Sequence, residues 1–273
     1  MSQPKIYIHL VRHAQGFHNL NRANHALPDP DLTPLGKEQC AALCAAFPHH
    51  DKITHLVASP MRRTLYTCLL SFVPAVEAGK VVTALPEIQE ISNLPCDTGS
   101  DAEKLKAEFG AKVDFGLVKD GWNDKSAGSP WAPEMKRLEE RALKARRWLR
   151  ELGRKALAEA GNDGRDVHIA AVTHGGFLHF LTQDYAGMSL EKGTGWDNTE
   201  YRTYEFVHPE KDEDEEARLR EVKASWRRRR DSHEKGLTET EQRELRAVVE
   251  DAISKEFGAP MAPAGAVVDG EKN

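Results

Sequence analysis

The sequence predicts an α/β fold with three layers, α/β/α, around a largely parallel central sheet. Two observations support this prediction. Short apolar, β-rich runs alternate along the chain with longer runs whose apolar residues recur at helical spacing. A chain of 273 residues with 40% hydrophobic residues is also long enough to bury a large core. Alternating strands and helices favour parallel strand pairing, with helices on both faces of the sheet.

The first two strand and helix units set this pattern. Residues 6–11 form a short apolar run that ends in polar sequence, which predicts a buried first strand at the centre of the sheet. Thr33 can then cap a helix with Pro34 in its first position, and apolar residues follow at helical spacing. Residues 53–58 and 62–72 repeat the unit as a second strand and a second helix.

The later elements continue the alternation. Residues 81–84 are a short β-rich run, and residues 134–160 form a long stretch rich in Ala, Leu, Arg and Glu that favours a helix. Residues 167–172 are again apolar and lead into a turn and a further helix, and residues 201–207 predict the last strand.

The chain divides into a catalytic domain and two additions. Residues 1–210 are predicted to form the domain, and residues 92–133 within it are too long and irregular for an ordinary connection, so they are interpreted as an insertion or lid. Residues 211–257 read as a charged helical extension. The Ala-, Pro- and Gly-rich residues 258–273 predict a disordered tail.

Charge and hydropathy limit the partners. The formal net charge is −5, with an isoelectric point near 6.2, and nucleic-acid binders usually carry a basic footprint instead. No apolar run approaches the roughly 20 residues of a membrane span, and the N-terminus lacks the apolar core of a secretory signal. We therefore expect a cytoplasmic protein, with a nuclear location also open, and neither nucleic-acid nor membrane partners.

The cysteines do not indicate a metal site. The four cysteines contain no C-x-x-C pair and no histidine at zinc-finger spacing, which favours reduced, mostly buried thiols. We expect no bound metal.

Charged or donor-rich residues follow three of the predicted strands. Arg12 and His13 follow the first strand, residues 59–63 follow the second, and residues 173–176 follow the strand at 167–172. Because ligands of open α/β sheets bind beyond the carboxyl ends of the strands, these segments are expected to meet in one site. Each of these segments is charged or rich in hydrogen-bond donors directly after an apolar strand.

These segments resemble the histidine phosphatase superfamily, in its phosphoglycerate mutase-like branch. The matching motifs are RHAQGFHN at 12–19, SPMRRTLYT at 59–67 and VTHGG at 172–176, and the RHAQG-x-HN form resembles plant and fungal members. The resemblance spans residues 5–207 and implies a phosphoglycerate mutase-like fold. The departures are Ala14 and Gln15 in place of Gly and Glu, and Thr64 and Cys68 in place of two alanines.

The resemblance implies that His13 is a nucleophile that forms a phosphohistidine, which water then hydrolyses. A neutral imidazole can do this near pH 7 if its other nitrogen is held by a hydrogen-bond acceptor, for which we expect a backbone carbonyl. Further groups are implied to bind the phosphate: Arg12, Asn19, Arg63, His174 and the backbone N–H of Gly175. His18 lies inside the first motif and is a further candidate to line the site.

A leaving alkoxide also needs a proton donor. The acidic position of the family falls in LPEIQEISN, where Glu90 is the preferred residue because of its distance from the strand end. Glu87 is the alternative, since an apolar residue stands two positions before each of them.

The function implied by the resemblance is a metal-independent phosphatase that acts on a small phosphomonoester and needs no cofactor. A phosphoglycerate mutase is the first alternative, but the segment ISNLPCDTGSD at 91–101 is acidic where glycolytic mutases carry basic residues. A non-catalytic protein that binds a phosphorylated ligand is the second. The alcohol part of the substrate, the role of the C-terminal extension and the oligomeric state stay open.

Overall fold

In the computed structural model, which describes residues 4–161, 164–188, 193–210, 215–230 and 235–257, a seven-stranded sheet forms the centre of the protein. The strands are β1 (Ile6–Arg12), β2 (Ile53–Ala58), β3 (Val82–Ala84), β4 (Val113–Asp114), β5 (Val167–Thr173), β6 (Tyr201–Phe206) and β7 (Leu219–Glu221). Their order is β4-β3-β2-β5-β1-β6-β7.

Strand direction confirms the predicted, largely parallel sheet. The five strands β1 to β5 are mutually parallel, whereas β6 and β7 run antiparallel to their neighbours. The middle position belongs to β5, so the prediction that the first strand is central was wrong. β5 is also the more uniformly apolar of the two and is buried along its whole length, as a strand covered on both faces should be.

The helices cover both faces of the sheet. They are α1 (Pro34–Ala46), α2 (Arg62–Ser71), α3 (Val73–Glu77), α4 (Ala102–Phe109), α5 (Met135–Ala160), α6 (Gly175–Thr182), α7 (Lys223–Arg229) and α8 (Glu239–Phe257). α1 begins as predicted, because the backbone N–H of Gly36 donates to Thr33 Oγ1 at 3.0 Å and Pro34 opens the helix.

Two hydrophobic clusters make the three layers. Ile8 and Leu10 of β1 point into one cluster, which also contains residues of α5, α6 and α8. Val11 points into the other cluster, with residues of α1, α2 and α4. Side chains alternate between the faces of a strand, so one strand supplies both clusters. The predicted α/β/α arrangement is confirmed.

The predicted insertion and extension both add to the sheet. Residues 92–133 contain α4 and β4, and β4 forms one edge of the sheet beside β3. β7 forms the other edge beside β6, and α8 packs against the cluster that contains α5. Residues 211–214 and 231–234 of the predicted extension and the predicted tail at 258–273 lie outside the described residues. Within the described ranges, no helix is long and apolar enough to cross a membrane.

Candidate active site

The three predicted segments meet at the carboxyl ends of β1, β2 and β5. Arg12 is the last residue of β1 and pairs with Thr173, the last residue of β5. The backbone N–H of His13 donates to the carbonyl of Thr173 at 2.9 Å, and that of Ser59 donates to Val172 at 3.0 Å. Strand pairing therefore fixes the backbone on which the candidate side chains stand.

His13 is held in one tautomer. Its Nδ1 lies 2.7 Å from the carbonyl oxygen of Ala14, which confirms the expected backbone acceptor. Because a carbonyl can only accept, Nδ1 carries the proton and Nε2 carries the lone pair in the neutral ring. Burial, followed by the charge of Arg63, lowers the pKa of His13 well below its ordinary value of 6.5. The imidazole is therefore neutral near pH 7.

His174 lies against His13 in the opposite tautomer. The two ring centroids are 5.2 Å apart. Arg63 Nη2 donates to His174 Nδ1 at 3.0 Å, so Nε2 carries the proton and donates to Ser59 Oγ at 2.9 Å. Both ring nitrogens are thus bound within the protein, and the predicted contact of His174 with phosphate requires one of these bonds to be exchanged.

Arg63 is fully buried and its charge is partly neutralised. Its Nη1 donates to the carbonyl of Cys96 at 2.6 Å, and its Nη2 donates to Asp97 Oδ1 at 2.9 Å. Asp97 Oδ2 in turn accepts from the hydroxyl of Ser92 at 2.5 Å. The predicted insertion therefore supplies the counterion of a predicted phosphate-binding residue.

Arg12 reaches the site through space left by a glycine. A Cβ at Gly175 would lie 3.1 Å from Arg12 Nε and 2.5 Å from Thr194 Cγ2, so a larger residue there would crowd the guanidinium. Arg12 Nη1 donates to the carbonyl of Trp196. Arg12 Nε is buried and has no hydrogen-bond partner among the described residues, and Arg12 lines the cavity described below.

Glu90 sits at the start of α6. Its Oε1 accepts from the backbone N–H of Phe177 at 2.9 Å, and its Oε2 accepts from Gly176 at 3.2 Å. Burial, followed by the charge of Asp97, raises the pKa of Glu90 above its ordinary value, against the lowering effect of the backbone donors. Glu90 lines the cavity described below, whereas Glu87 is not among the residues that line it.

Two buried basic side chains lie behind Glu90, and the sequence did not predict either of them. Lys125 Nζ donates to the carbonyls of Glu90 and Ser92 at 2.6 and 2.8 Å, and Arg141 Nη2 donates to the carbonyl of Glu90 at 3.2 Å. Burial lowers the pKa of Lys125 to about 7. These side chains hold the backbone that presents the acid. Lys125 lies in the predicted insertion and Arg141 in the predicted long helix, and neither pattern marks a basic residue as buried.

A cavity of about 290 Å³ opens over these groups. Its polar end, as we call it, consists of Arg12, His13, His18, Asn19, Glu90 and Gly175. Asn19 Oδ1 accepts from the backbone N–H of Gly16 at 3.0 Å. His18 is buried, and burial followed by the charge of Arg63 lowers its pKa to about 2. The cavity thus brings together six residues that the sequence indicated, His18 among them, while Arg63 and His174 do not line it.

A metal centre does not emerge from the described ranges. No group of three His, Cys, Asp or Glu side chains in them is placed to hold a metal ion. Metal independence therefore stays a prediction.

Comparisons with known proteins agree with the motifs. The sequence model of the histidine phosphatase superfamily (branch 1) matches residues 8–219. A phosphoglycerate mutase-like protein of Arabidopsis thaliana is 27% identical over 215 residues, which cover 65% of this chain and 74% of that protein. Phosphoglycerate mutase-like protein 1 of the same plant is 27% identical over 208 residues, 63% of this chain and 68% of that protein.

Solved structures share the fold. The structure named mycobacterial hydrolase 2 is 17% identical, has a TM-score of 0.51, and covers 90% of this chain and 98% of that chain. At this identity the likeness concerns the fold. Together with the family match it confirms the resemblance that the three motifs indicated.

Proposed function

Because this chain belongs to the histidine phosphatase superfamily (branch 1), we propose that it hydrolyses a small phosphomonoester through a phosphohistidine at His13, without a metal or cofactor. The hydrogen bond from His13 Nδ1 to the carbonyl of Ala14 carries this proposal. It leaves the lone pair of Nε2 free to attack phosphorus. The lowered pKa keeps that lone pair unprotonated at neutral pH.

The first step forms an N–P bond and breaks the ester P–O bond. Negative charge spreads over the phosphoryl oxygens as the transfer proceeds, so fixed donors around them stabilise the transition state. Arg12 lines the cavity, and its buried Nε has no hydrogen-bond partner among the described residues. For Arg63 and His174, phosphate competes with Asp97 and Ser59, the partners that they hold in its absence.

Glu90 supplies the proton for the leaving oxygen. A raised pKa keeps a larger fraction of the carboxyl protonated near neutral pH, as a general acid requires. After transfer to the alkoxide, the carboxylate accepts a proton from the water that attacks the phosphohistidine. The products are the alcohol, inorganic phosphate and free His13, and the proton is back on Glu90.

Hydrolysis of p-nitrophenyl phosphate in the presence of a chelator tests this function. We expect wild-type protein to release nitrophenol and the His13→Ala variant to be inactive. Denaturation during turnover of a ³²P-labelled ester should trap an alkali-stable, acid-labile label on wild type alone, as expected for phosphohistidine. Equal rates for the two proteins would remove His13 as the nucleophile.

Two further outcomes identify the alternatives. A mutase interconverts phosphoglycerates faster than it releases phosphate. A binding protein binds phosphate without turnover of any ester. The acidic character of residues 91–101, with Asp97 on Arg63, supports hydrolysis over the mutase reaction.

A further inference from the structure

Helix α8 forms one wall of the cavity. Val249 and Ile253, one turn apart, each expose only 6% of their surface, and Ala252 lies beside them on the same face. Apolar residues from other segments line the cavity beside α8, and the polar residues His25, Ser92 and Thr194 also line it but belong to neither end. We call the following apolar residues the apolar end: Ile91, Leu94, Met188, Val249, Ala252 and Ile253.

α8 is held in place by contacts that need no substrate. Gln242 Nε2 donates to Asp184 Oδ1 at 2.7 Å, and its Oε1 accepts from the backbone N–H of Tyr185 at 2.9 Å. Arg246 forms an ion pair with Glu139 of α5. The apolar end is therefore already built when a substrate arrives.

Apart from histidines, the described charged side chains that line the cavity are Arg12 and Glu90 at its polar end and Asp97, which belongs to neither end. Among the described lining residues, Arg12 is the one arginine or lysine. Lys125 and Arg141 are close by, but they donate to backbone carbonyls and do not line the cavity. Among the residues that the structure describes, a second anionic group at the apolar end, such as a carboxylate, would lie against aliphatic side chains, and burial of an unpaired charge there is unfavourable.

The cavity is small. At about 290 Å³ the cavity is at the lower limit for small-molecule sites, which range from roughly 300 to 1,000 Å³. A phosphate at the polar end leaves room for one ring or a short branched chain.

We propose that the substrate is a phosphomonoester of a small, uncharged, apolar alcohol, and that α8 binds the alcohol part through Val249, Ala252 and Ile253. This inference rests on the proposed phosphatase activity. Phosphate binds at the polar end, and burial of the alcohol against α8 contributes to affinity in proportion to its apolar area.

Three esters with primary alkoxide leaving groups test the substrate class: benzyl phosphate, glycerol 3-phosphate and 3-phosphoglycerate. We expect kcat/KM to fall in that order, by about 100-fold from the first to the last. Hydrolysis of p-nitrophenyl phosphate that depends on His13, combined with equal or faster use of 3-phosphoglycerate, overturns this inference and leaves the phosphatase intact. Failure to hydrolyse any ester overturns both.

The variant Val249→Thr tests the role of α8, because it replaces a buried methyl by a hydroxyl of similar size. We expect KM for benzyl phosphate to rise about tenfold. The inhibition constant of inorganic phosphate, which has no alcohol part, should not change. The exposed, remote Val81→Thr is the matched control and should alter neither value. Equal changes in KM and in the phosphate constant would overturn the assignment.

A second variant covers the case in which Val249→Thr does not fold. Ala252 is only partly buried, and Ala252→Leu narrows the apolar end. We expect kcat/KM for benzyl phosphate to fall about tenfold and that for methyl phosphate to stay unchanged. An equal fall in kcat/KM for both esters would contradict the proposal that α8 contacts the alcohol part.

Discussion

The polar and apolar ends of the cavity are built in different ways. At the polar end, Arg12 and His13 lie at the carboxyl end of β1, an interior strand, and the backbone of His13 is bonded to the neighbouring strand β5. At the apolar end, α8 is held by Gln242, by the Arg246 ion pair and by a few buried aliphatic side chains. One end is fixed by strand pairing, and the other by a helix docked on the surface.

This difference matches what each end has to do. Phosphoryl transfer depends on donors and a nucleophile held within a few tenths of an ångström, which strand ends and their hydrogen bonds provide. Binding an apolar group needs buried area and shape but little directionality. Changes at the polar end should therefore alter kcat, and changes on α8 should alter KM.

Removal of a polar-end donor should have the largest effect. We expect Arg12→Ala to lower kcat about 1,000-fold, because the partly buried guanidinium that lines the cavity meets charge that develops in the transition state. Steady-state kinetics with p-nitrophenyl phosphate provides the measurement. Arg62→Ala is the matched control, since Arg62 pairs with Glu108 at the surface and does not line the cavity. A loss that falls mainly on KM would contradict the division between the two ends.

Glu90→Gln should have a smaller effect that depends on the leaving group. We expect kcat to fall about 100-fold for an alkyl phosphate, whose alkoxide needs a proton. For p-nitrophenyl phosphate, whose leaving group is stable as an anion, the fall should be under about tenfold. The same variant of Glu87, which does not line the cavity, should leave both rates unchanged. The opposite result would identify Glu87 as the acid.

Buried histidines should also make stability depend on pH. His13 and His18 at the polar end and His174 behind it have lowered pKa values in the folded protein, mainly because of burial. Burial also lowers the pKa values of His9, His168 and His179 elsewhere in the fold. Below pH 6.5 these histidines bind protons in the unfolded chain but stay neutral in the folded protein. Their effect on the unfolding free energy is therefore absent above pH 6.5, and it lowers that free energy as the pH falls below 6.5. Each histidine can lower the unfolding free energy by up to about 1.4 kcal/mol per pH unit.

Urea unfolding between pH 7.5 and 5 measures this slope. His18→Asn should reduce the number of protons taken up on unfolding, which the slope reports, by close to one. The sequence of α8 contains no histidine, so release of α8 should depend less on pH than global unfolding does. Limited proteolysis measures this release. An equal pH dependence of the two processes would mean that the ends open together.

The sequence predicts the polar end better than the apolar end, because strand ends give a local signal and a docked helix does not. An apolar strand that is followed by charged or polar residues is a local signal. It correctly placed Arg12, His13 and His174 at the carboxyl ends of the strands. The tautomer of His13 followed from chemistry. The strands β4 and β7, with two and three residues, are too short to show a pattern of their own.

The apolar end was not visible in this way. Residues 211–257 are so rich in charge that they resemble a solvated extension, and only Leu245, Val249 and Ile253 mark the face of α8 that packs inward. Lys125 lies 35 residues beyond the carbonyl of Glu90 that it binds, within an irregular segment. Both features depend on tertiary packing, which no local pattern encodes.

Loosening α8 should have the smallest effect and test the division most directly. Gln242→Ala removes two hydrogen bonds, each worth about 1 kcal/mol or less at a partly exposed site, so α8 should open more often without being lost. We expect KM for benzyl phosphate to rise about threefold, with kcat and the phosphate inhibition constant unchanged. Arg243→Ala, which removes only a local contact with Thr240, is the control on the same helix. A fall in kcat at constant KM would show that α8 also orders the reacting groups, because a wall that only binds the alcohol cannot slow the chemical step once the substrate is in place.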